Sequence, residues 1–196
     1  MKRLPVTLLA FFMTLAVVNA QFTKLGGGLG FTTGYYFHDQ EFDYNKSGNL
    51  NIFLKGIYEL SLPVHLSPSI TYMPHIYKDP TGESKTTINT LMFDINGHYV
   101  FNSLDRFEFY GLAGIDILLA FKKDVFSITG ADEVVNKEKD NGFGLNLGAG
   151  SYIMLTDQID LSVEAKYLLS KYSQFMINAG VLINLQWLNK HENPEY

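Results

Sequence analysis

NAGVLINLQWL, residues 178–188, is an alternating stretch close to the end of the chain. Every second position is apolar, namely Val181, Ile183, Leu185 and Trp187. Because successive side chains of a β-strand point to opposite faces, this pattern predicts a strand with one apolar face. In a closed sheet, such a final strand would pair with the first one.

Alternation of this kind recurs along the chain, and helical periodicity is hard to find. In residues 91–101, Phe93 and Ile95 lie on the face opposite Asp94. Pro74, inside another such segment, lacks an N–H for the sheet and predicts a bulge or irregular pairing. Eight alternating segments are predicted, near residues 22–37, 49–62, 66–78, 86–101, 107–121, 141–155, 159–171 and 174–188.

The connections between these segments alternate in length, except that the seventh, near residues 172–173, is also short. Short turns are predicted near residues 63–65, 102–106 and 156–158. Longer loops are predicted over residues 38–48, 79–85 and 122–140. Short turns at one end and long loops at the other are typical of transmembrane barrels, and an even strand count puts both termini in the periplasm. The sequence therefore predicts an all-β fold, an eight-stranded antiparallel up-and-down transmembrane β-barrel.

The first twenty residues are typical of an export signal. Lys2 and Arg3 precede an apolar run from Leu8 to Val18, and small residues end it at Ala20. A membrane-spanning helix needs roughly 20 apolar residues, and this run is shorter. We therefore expect a cleaved signal peptide over 1–20, a barrel over 21–188 and a polar tail over 189–196.

Charge and cysteine content narrow the class of protein. Without residues 1–20, 13 Lys and Arg remain against 20 Asp and Glu, so no nucleic-acid partner is expected. The chain has no Cys, which excludes a disulfide framework and a lipidated cleavage site. No cofactor is expected.

The polar face of the strands indicates which side of the sheet faces inward. It carries mid-strand charges, which would be unfavourable in a cavity that binds an apolar ligand. A sheet in lipid, by contrast, requires an apolar exterior and no unpaired edge. We expect these charges to form a polar network that plugs the lumen. The predicted members are Lys55, Glu59, Asp94, His98, Glu108, Asp116, Glu164 and Lys166.

Aromatic residues collect toward the strand ends on the apolar face. Two such rings match the aromatic girdles found where a barrel meets lipid headgroups. The predicted girdle comprises Tyr35, Phe37, Tyr58, Tyr99, Phe101, Phe107, Phe109, Phe121, Phe143, Phe175 and Trp187.

The end of the chain also carries a motif. Asn178, Gly180, Ile183 and Leu185 have the form polar-x-Gly-x-x-hydrophobic-x-hydrophobic, which resembles the insertion signal of outer-membrane barrels. Over residues 22–188 the chain resembles the small eight-stranded outer-membrane barrel family, OmpA-like and OmpX-like, although it continues into a polar tail. The resemblance implies a Gram-negative outer membrane, contact with lipid and lipopolysaccharide, and delivery by periplasmic chaperones and the barrel-assembly machinery.

The polar residues also allow alternative hypotheses. The lumen charges would favour cations if they lined a narrow channel. A lipid-modifying enzyme lacks support, because no G-x-S-x-G motif is present and the His residues are scattered. Acidic residues in Asp39-x-Glu41-x-Asp43-x-Asn45 lack the Gly of a calcium loop, so no metal is predicted.

The sequence therefore favours a structural or surface-interaction role, adhesin-like and without catalysis. A surface ligand would contact the predicted loops 38–48 and 122–140, of which the second has mixed charge and is expected to be mobile and exposed. A cation-preferring channel, an outer-membrane lipid-modifying enzyme and a soluble lipocalin-like binding protein remain as alternatives.

Overall fold

Ten β-strands make up nearly all of the fold in the computed structural model, which describes residues 22–33, 36–37, 40–41, 48–61, 63–78, 84–126, 134–171 and 173–185. The strands are β1 (Lys24–Thr32), β2 (Tyr36–Phe37), β3 (Gln40–Glu41), β4 (Asn49–Ser61), β5 (Val64–Lys78), β6 (Ser84–Leu104), β7 (Phe107–Phe126), β8 (Val134–Met154), β9 (Ile159–Leu169) and β10 (Gln174–Asn184). The predicted signal peptide and polar tail lie outside the described residues. Among the described residues, no helix has the length and hydrophobicity needed to cross a membrane.

Eight of these strands close into one antiparallel barrel. The order around the barrel is β1, β4, β5, β6, β7, β8, β9, β10, and β1 pairs with both β4 and β10. Every barrel strand therefore has a hydrogen-bonded neighbour on each side, which removes the unpaired edges that hydrocarbon would not tolerate. The predicted eight-stranded up-and-down barrel is confirmed.

The two ends of the barrel differ, and we call them the turn end and the loop end. The turn end has the connections at 62–63, 105–106 and 155–158, together with the start of β1 and the end of β10. At the second of these turns Asp105 has a φ of 35°, a left-handed conformation that Asp tolerates better than most residues. The loop end has the connections after β1, β5, β7 and β9.

Several predicted strand boundaries are wrong. β1 ends at Thr32, and Tyr36–Phe37 instead pairs with Gln40–Glu41 inside the predicted first loop. The predicted loop 122–140 is largely strand, because β7 continues to Phe126 and β8 begins at Val134. Strands were predicted from apolar alternation, which is lost in this mixed-charge segment. The cross-strand pairing of β7 with β8 nevertheless continues through it.

The irregularity predicted at Pro74 is also absent from the described pairing. Pro74 pairs in register with Asn89, and the register shifts occur instead near Glu59 and near Val100. Pro74 lies beyond Tyr72, the last β5 residue that pairs with β4 in the described part of the chain. A ladder bond is therefore not required on that side, so the missing N–H has little effect.

The outward surface of the barrel is apolar and exposed. Leu50 exposes 70% of its surface and Phe143 62%, and both alternate with buried inward residues. A band of exposed Leu, Ile, Val and Phe would be unfavourable in water and is suited to hydrocarbon.

Side chains fill the lumen in three layers. Toward the turn end lies an aromatic layer, formed by Ile57, Val100, Tyr110, Leu112, Tyr152 and Leu182. Toward the loop end lies a methionine layer, formed by Met73, Met92, Leu118, Leu168 and Met176. Between them an ionic layer contains Lys55, Asp94, Asp116, Glu164 and Lys166. The sequence predicted polar plugging groups but not the two apolar layers around them.

Candidate functional site

The ionic layer joins strands that are far apart in the sequence. Lys55 Nζ of β4 lies 2.7 Å from Glu164 Oε2 of β9. Lys166 Nζ, also on β9, lies 3.0 Å from Asp94 Oδ2 of β6 and 3.7 Å from Glu164 Oε1. All four side chains are buried. Charges withdrawn from water need partners of opposite sign, and these strands supply them from across the lumen.

Asp94 receives the most hydrogen bonds in this layer. Its Oδ1 accepts from Ser69 Oγ at 2.8 Å and from Asn96 Nδ2 at 2.6 Å, while Oδ2 accepts from Lys166. Asn146 Nδ2 donates in turn to Asn96 Oδ1 at 2.9 Å. The Asp94 carboxylate therefore links β5, β6 and β9 directly, and the Asn96 amide extends the network to β8.

Asp116 is the exception in the layer. It is the cross-strand partner of Asp94 and is 1% exposed, yet neither carboxylate oxygen has a hydrogen-bond partner among the described residues. The layer therefore contains three carboxylates, with Glu164 as the third, against the ammonium groups of Lys55 and Lys166. Its formal balance is negative by one charge when all five groups are ionised.

The aromatic layer is connected to the ionic layer by hydrogen bonds. The His98 ring stacks on Tyr110 with centroids 4.2 Å apart, and His98 Nδ1 is 2.6 Å from Tyr152 OH. Tyr110 OH donates to Glu164 Oε2 at 3.2 Å. Buried Tyr hydroxyls need such partners. The rings and the ion pairs together fill the centre of the barrel.

The structure brings together part of the predicted lumen network. Buried in the lumen are Lys55, Asp94, His98, Asp116, Glu164 and Lys166. Glu59 and Glu108 lie outside these layers, near the turn end, where Glu59 Oε1 accepts from Thr23 Oγ1 at 3.2 Å. Ser69 and Tyr152 were missed, although each lies on the inward set of alternate positions of its strand.

The predicted girdle residues divide according to whether their side chains are described. Exposed on the outward face are Tyr99, Phe101, Phe107, Phe109, Phe121, Phe143 and Phe175. Tyr58 is half-buried. Tyr35 and Trp187 lie outside the described residues, and so does the side chain of Phe37. Phe121 and Phe143 are not at strand ends as predicted, because β7 and β8 extend beyond them.

The four residues of the predicted insertion signal occupy two faces of β10. Asn178 and Gly180 are buried on the lumen side, whereas Ile183 is exposed on the outward side. Leu185 follows the last residue of the strand and donates its N–H to Thr23 O at 2.8 Å. The motif thus lies along the seam where the last strand meets the first.

The loop end carries a second notable feature, which we call the strand wall: residues 74–78, 84–90, 120–126 and 134–142. Within the described pairing, β4 accompanies β5 only to Tyr72 and β9 accompanies β8 only from Leu145. The wall therefore extends beyond neighbouring strands on both sides. At its tip Phe126 pairs with Val134, and both are exposed.

Charges on the wall are separated by face. The inward face carries Lys122, Asp124, Glu138 and Asp140. Lys122 Nζ lies 3.0 Å from Asp124 Oδ2, and Lys171 Nζ lies 2.7 Å from Asp140 Oδ1. The outward face carries Lys85, Lys123, Lys137 and Lys139. No cluster of His, Cys, Asp or Glu suited to a metal ion is found in the part of the chain that the structure describes.

A closed eight-stranded barrel with an apolar exterior and a filled polar centre defines a class, the small β-barrels of outer membranes. Residues 4–186 match the family "Outer membrane protein beta-barrel domain". The chain therefore belongs to this family and is a protein of the outer membrane.

Solved structures share this fold at low sequence identity. A major outer membrane protein from Thermus thermophilus is 10% identical with a TM-score of 0.56, covering 82% of this chain and 98% of that one. Ail, the attachment invasion locus protein of Yersinia pestis, solved with the heparin analogue sucrose octasulfate, is 13% identical with a TM-score of 0.51, covering 83% and 99%. No match is found among curated proteins.

Proposed function

We propose that this protein is a non-conducting outer-membrane barrel that presents its strand wall as a binding surface outside the cell, an adhesin-like role. One observation carries the proposal: the wall extends beyond the neighbouring strands and ends in exposed apolar side chains, Phe126, Val134 and Val135. Exposed apolar groups outside the hydrocarbon band favour contact with a partner. The connections at 38–48 and 127–133 would border this surface.

The lumen supports a structural role for the barrel itself. Two apolar layers and an ionic layer occupy its centre, and Lys55 and Lys166 pair there with carboxylates from strands across the lumen. The predicted lumen network would then act as a plug, without catalysis. In planar bilayers we expect the purified full chain to show no steady single-channel conductance. Stable cation-selective steps would instead support the channel alternative.

We further propose lipid, lipopolysaccharide and the barrel-assembly machinery as partners of the same protein. The outward aromatic residues would lie at the lipid headgroups, and the motif ending near Leu185 would be read during assembly. The signal peptide over 1–20 would direct the chain to this route.

The adhesive role is tested with non-adherent Gram-negative cells that produce the full chain. Binding to a monolayer of cultured epithelial cells is counted as retained colonies. We expect Phe126→Thr combined with Val134→Thr to reduce binding to the level of cells without the protein, because the apolar tip is lost. Retained binding by this variant would contradict the proposal.

A matched control changes an apolar residue at the other end of the barrel. Leu155 lies in the turn before β9 and exposes 52% of its surface. Leu155→Thr should leave binding unchanged, because the turn end faces the periplasm in such barrels. Surface amount and heat-modifiability on detergent gels establish that each variant is folded.

A further inference from the structure

Four lysines on the outward face of the strand wall form a compact cationic patch. Lys123 of β7 is the direct cross-strand partner of Lys137 of β8. Lys139 lies two residues further along β8, with its Nζ 5.7 Å from the centroid of the Phe121 ring. Lys85 of β6 pairs with Val125, two residues from Lys123. Like charges directly opposite each other on a sheet are unfavourable unless an anion lies between them.

Acidic residues do not balance this patch within the described residues. The described acids of the wall, Asp124, Glu138 and Asp140, lie on the inward face, near Lys122 and Lys171. None of the four outward lysines has an ion pair within the described part of the chain, and all are exposed. The inward lysines are therefore paired with inward carboxylates, whereas the outward face has four positive charges available to an external anion.

The patch continues directly from the lipid-facing surface. Phe93, Ile117 and Phe143 form one cross-strand row of exposed aromatic and aliphatic side chains. Four residues further toward the loop end, Phe121 and Lys139 form another row, about 13 Å away along the strands at roughly 3.3 Å per residue. A lipid whose chains pack on the first row would place its headgroup near the second.

Amphipathic contacts are consistent with a headgroup region at this level. Tyr72 OH donates to Asn89 Oδ1 at 2.9 Å on the outward side, and Asn89 is the cross-strand partner of Phe121. Tyr is common where barrels meet the membrane interface. The change from apolar to hydroxyl, amide and ammonium groups thus follows the strands outward.

We propose that Lys85, Lys123, Lys137 and Lys139 bind the phosphate groups of a glycolipid headgroup in the outer leaflet. Lys is a mobile point charge with three donors, which suits phosphate oxygens on a flexible headgroup. The inference deepens the lipid partner proposed above. It does not depend on adhesion, which involves the apolar tip instead.

The test uses the folded full chain in detergent micelles, titrated with bis-phosphorylated lipid A and observed by native mass spectrometry. Lys123→Gln combined with Lys137→Gln should weaken binding roughly tenfold, because two cationic contacts are removed. Lys85→Gln with Lys139→Gln provides a second pair if the first does not fold. Dephosphorylated lipid A should bind the unaltered chain as weakly as bis-phosphorylated lipid A binds the variants.

The control carries the same charge change on the opposite face. Lys122→Gln with Lys171→Gln should leave lipid A binding unchanged. The proposal would be overturned if the outward pair and the control pair of variants bound lipid A equally well. It would also be overturned if the unaltered chain bound dephosphorylated and bis-phosphorylated lipid A equally well. Tighter binding of soluble sucrose octasulfate than of lipid A would also overturn it and indicate a free polyanion ligand. None of these outcomes bears on the adhesion assay, so the two proposals can fail separately.

Discussion

Lysines in the lumen and lysines on the wall occupy opposite environments in one molecule. Lys166 is 1% exposed and contacts two carboxylates, whereas Lys123 is exposed and faces Lys137 across the strands. Burial makes an unpaired charge costly, and solvent exposure makes it tolerable. The two lumen lysines are therefore paired with carboxylates inside the barrel, while the outward lysines of the wall remain available to partners outside the protein.

The largest expected difference comes from deleting one lysine in each region. Lys166→Met would leave Asp94 and Glu164 with one fewer cation in the lumen, and we expect a loss of about 3–5 kcal/mol in unfolding free energy. Lys123→Met should change it by less than about 0.5 kcal/mol. Urea unfolding of the barrel refolded in lipid vesicles measures both. Similar small losses in the two variants would remove the distinction between the regions.

A second comparison lies within the ionic layer. Asp94→Asn should cost about 1.5–3 kcal/mol, because this carboxylate accepts from Ser69, Asn96 and Lys166. Asp116→Asn should leave stability unchanged or raise it, since the unpartnered carboxylate faces Asp94. The same urea transitions measure both changes. A cost for Asp116→Asn equal to that of Asp94→Asn would indicate that Asp116 has a stabilising partner.

Inward and outward glycines provide a third comparison. A Cβ at Gly28, on the lumen side of the β1 and β10 seam, would collide with the backbone of Ala179 and Gly180. Gly28→Ala should therefore cost about 1–3 kcal/mol through overpacking. At Gly111 no atom lies within 4 Å of the added carbon, so Gly111→Ala should be neutral or slightly stabilising. Urea midpoints and heat-modifiability on detergent gels measure the stability of both variants. A larger loss of stability for Gly111→Ala than for Gly28→Ala would contradict this prediction.

The smallest expected effect concerns one hydroxyl on each side of the sheet. Tyr152→Phe removes the buried bond to His98 and should cost about 1 kcal/mol. Tyr72→Phe removes an exposed bond to Asn89, where other polar partners can replace it, and should cost close to nothing. The measured quantity is the difference between the urea unfolding midpoints of the two variants. Equal shifts would indicate that burial does not strengthen the lumen bond.

The alternation of the sequence was sufficient to predict much of the barrel. Phe93 and Asp94 lie on opposite faces as expected, and the sheet closes between β1 and β10. The wall was missed because apolar alternation stops near Phe121 while pairing continues to Phe126. The methionine layer was not predicted because its side chains occupy the same inward-facing positions as the polar residues. The two sets differ only in their height along the barrel axis, which the alternation of the sequence does not give.

The sequence by itself determined the number of barrel strands and the closed architecture. It also determined the face on which the side chains of each barrel strand lie, because successive side chains of a strand alternate between its two faces. The tertiary structure decided which inward charges meet. Lys55 and Glu164 are 109 residues apart and come together only through the stagger at which the barrel closes. A local pattern contains no information about that stagger, so the ionic layer and the height of the wall required the folded molecule.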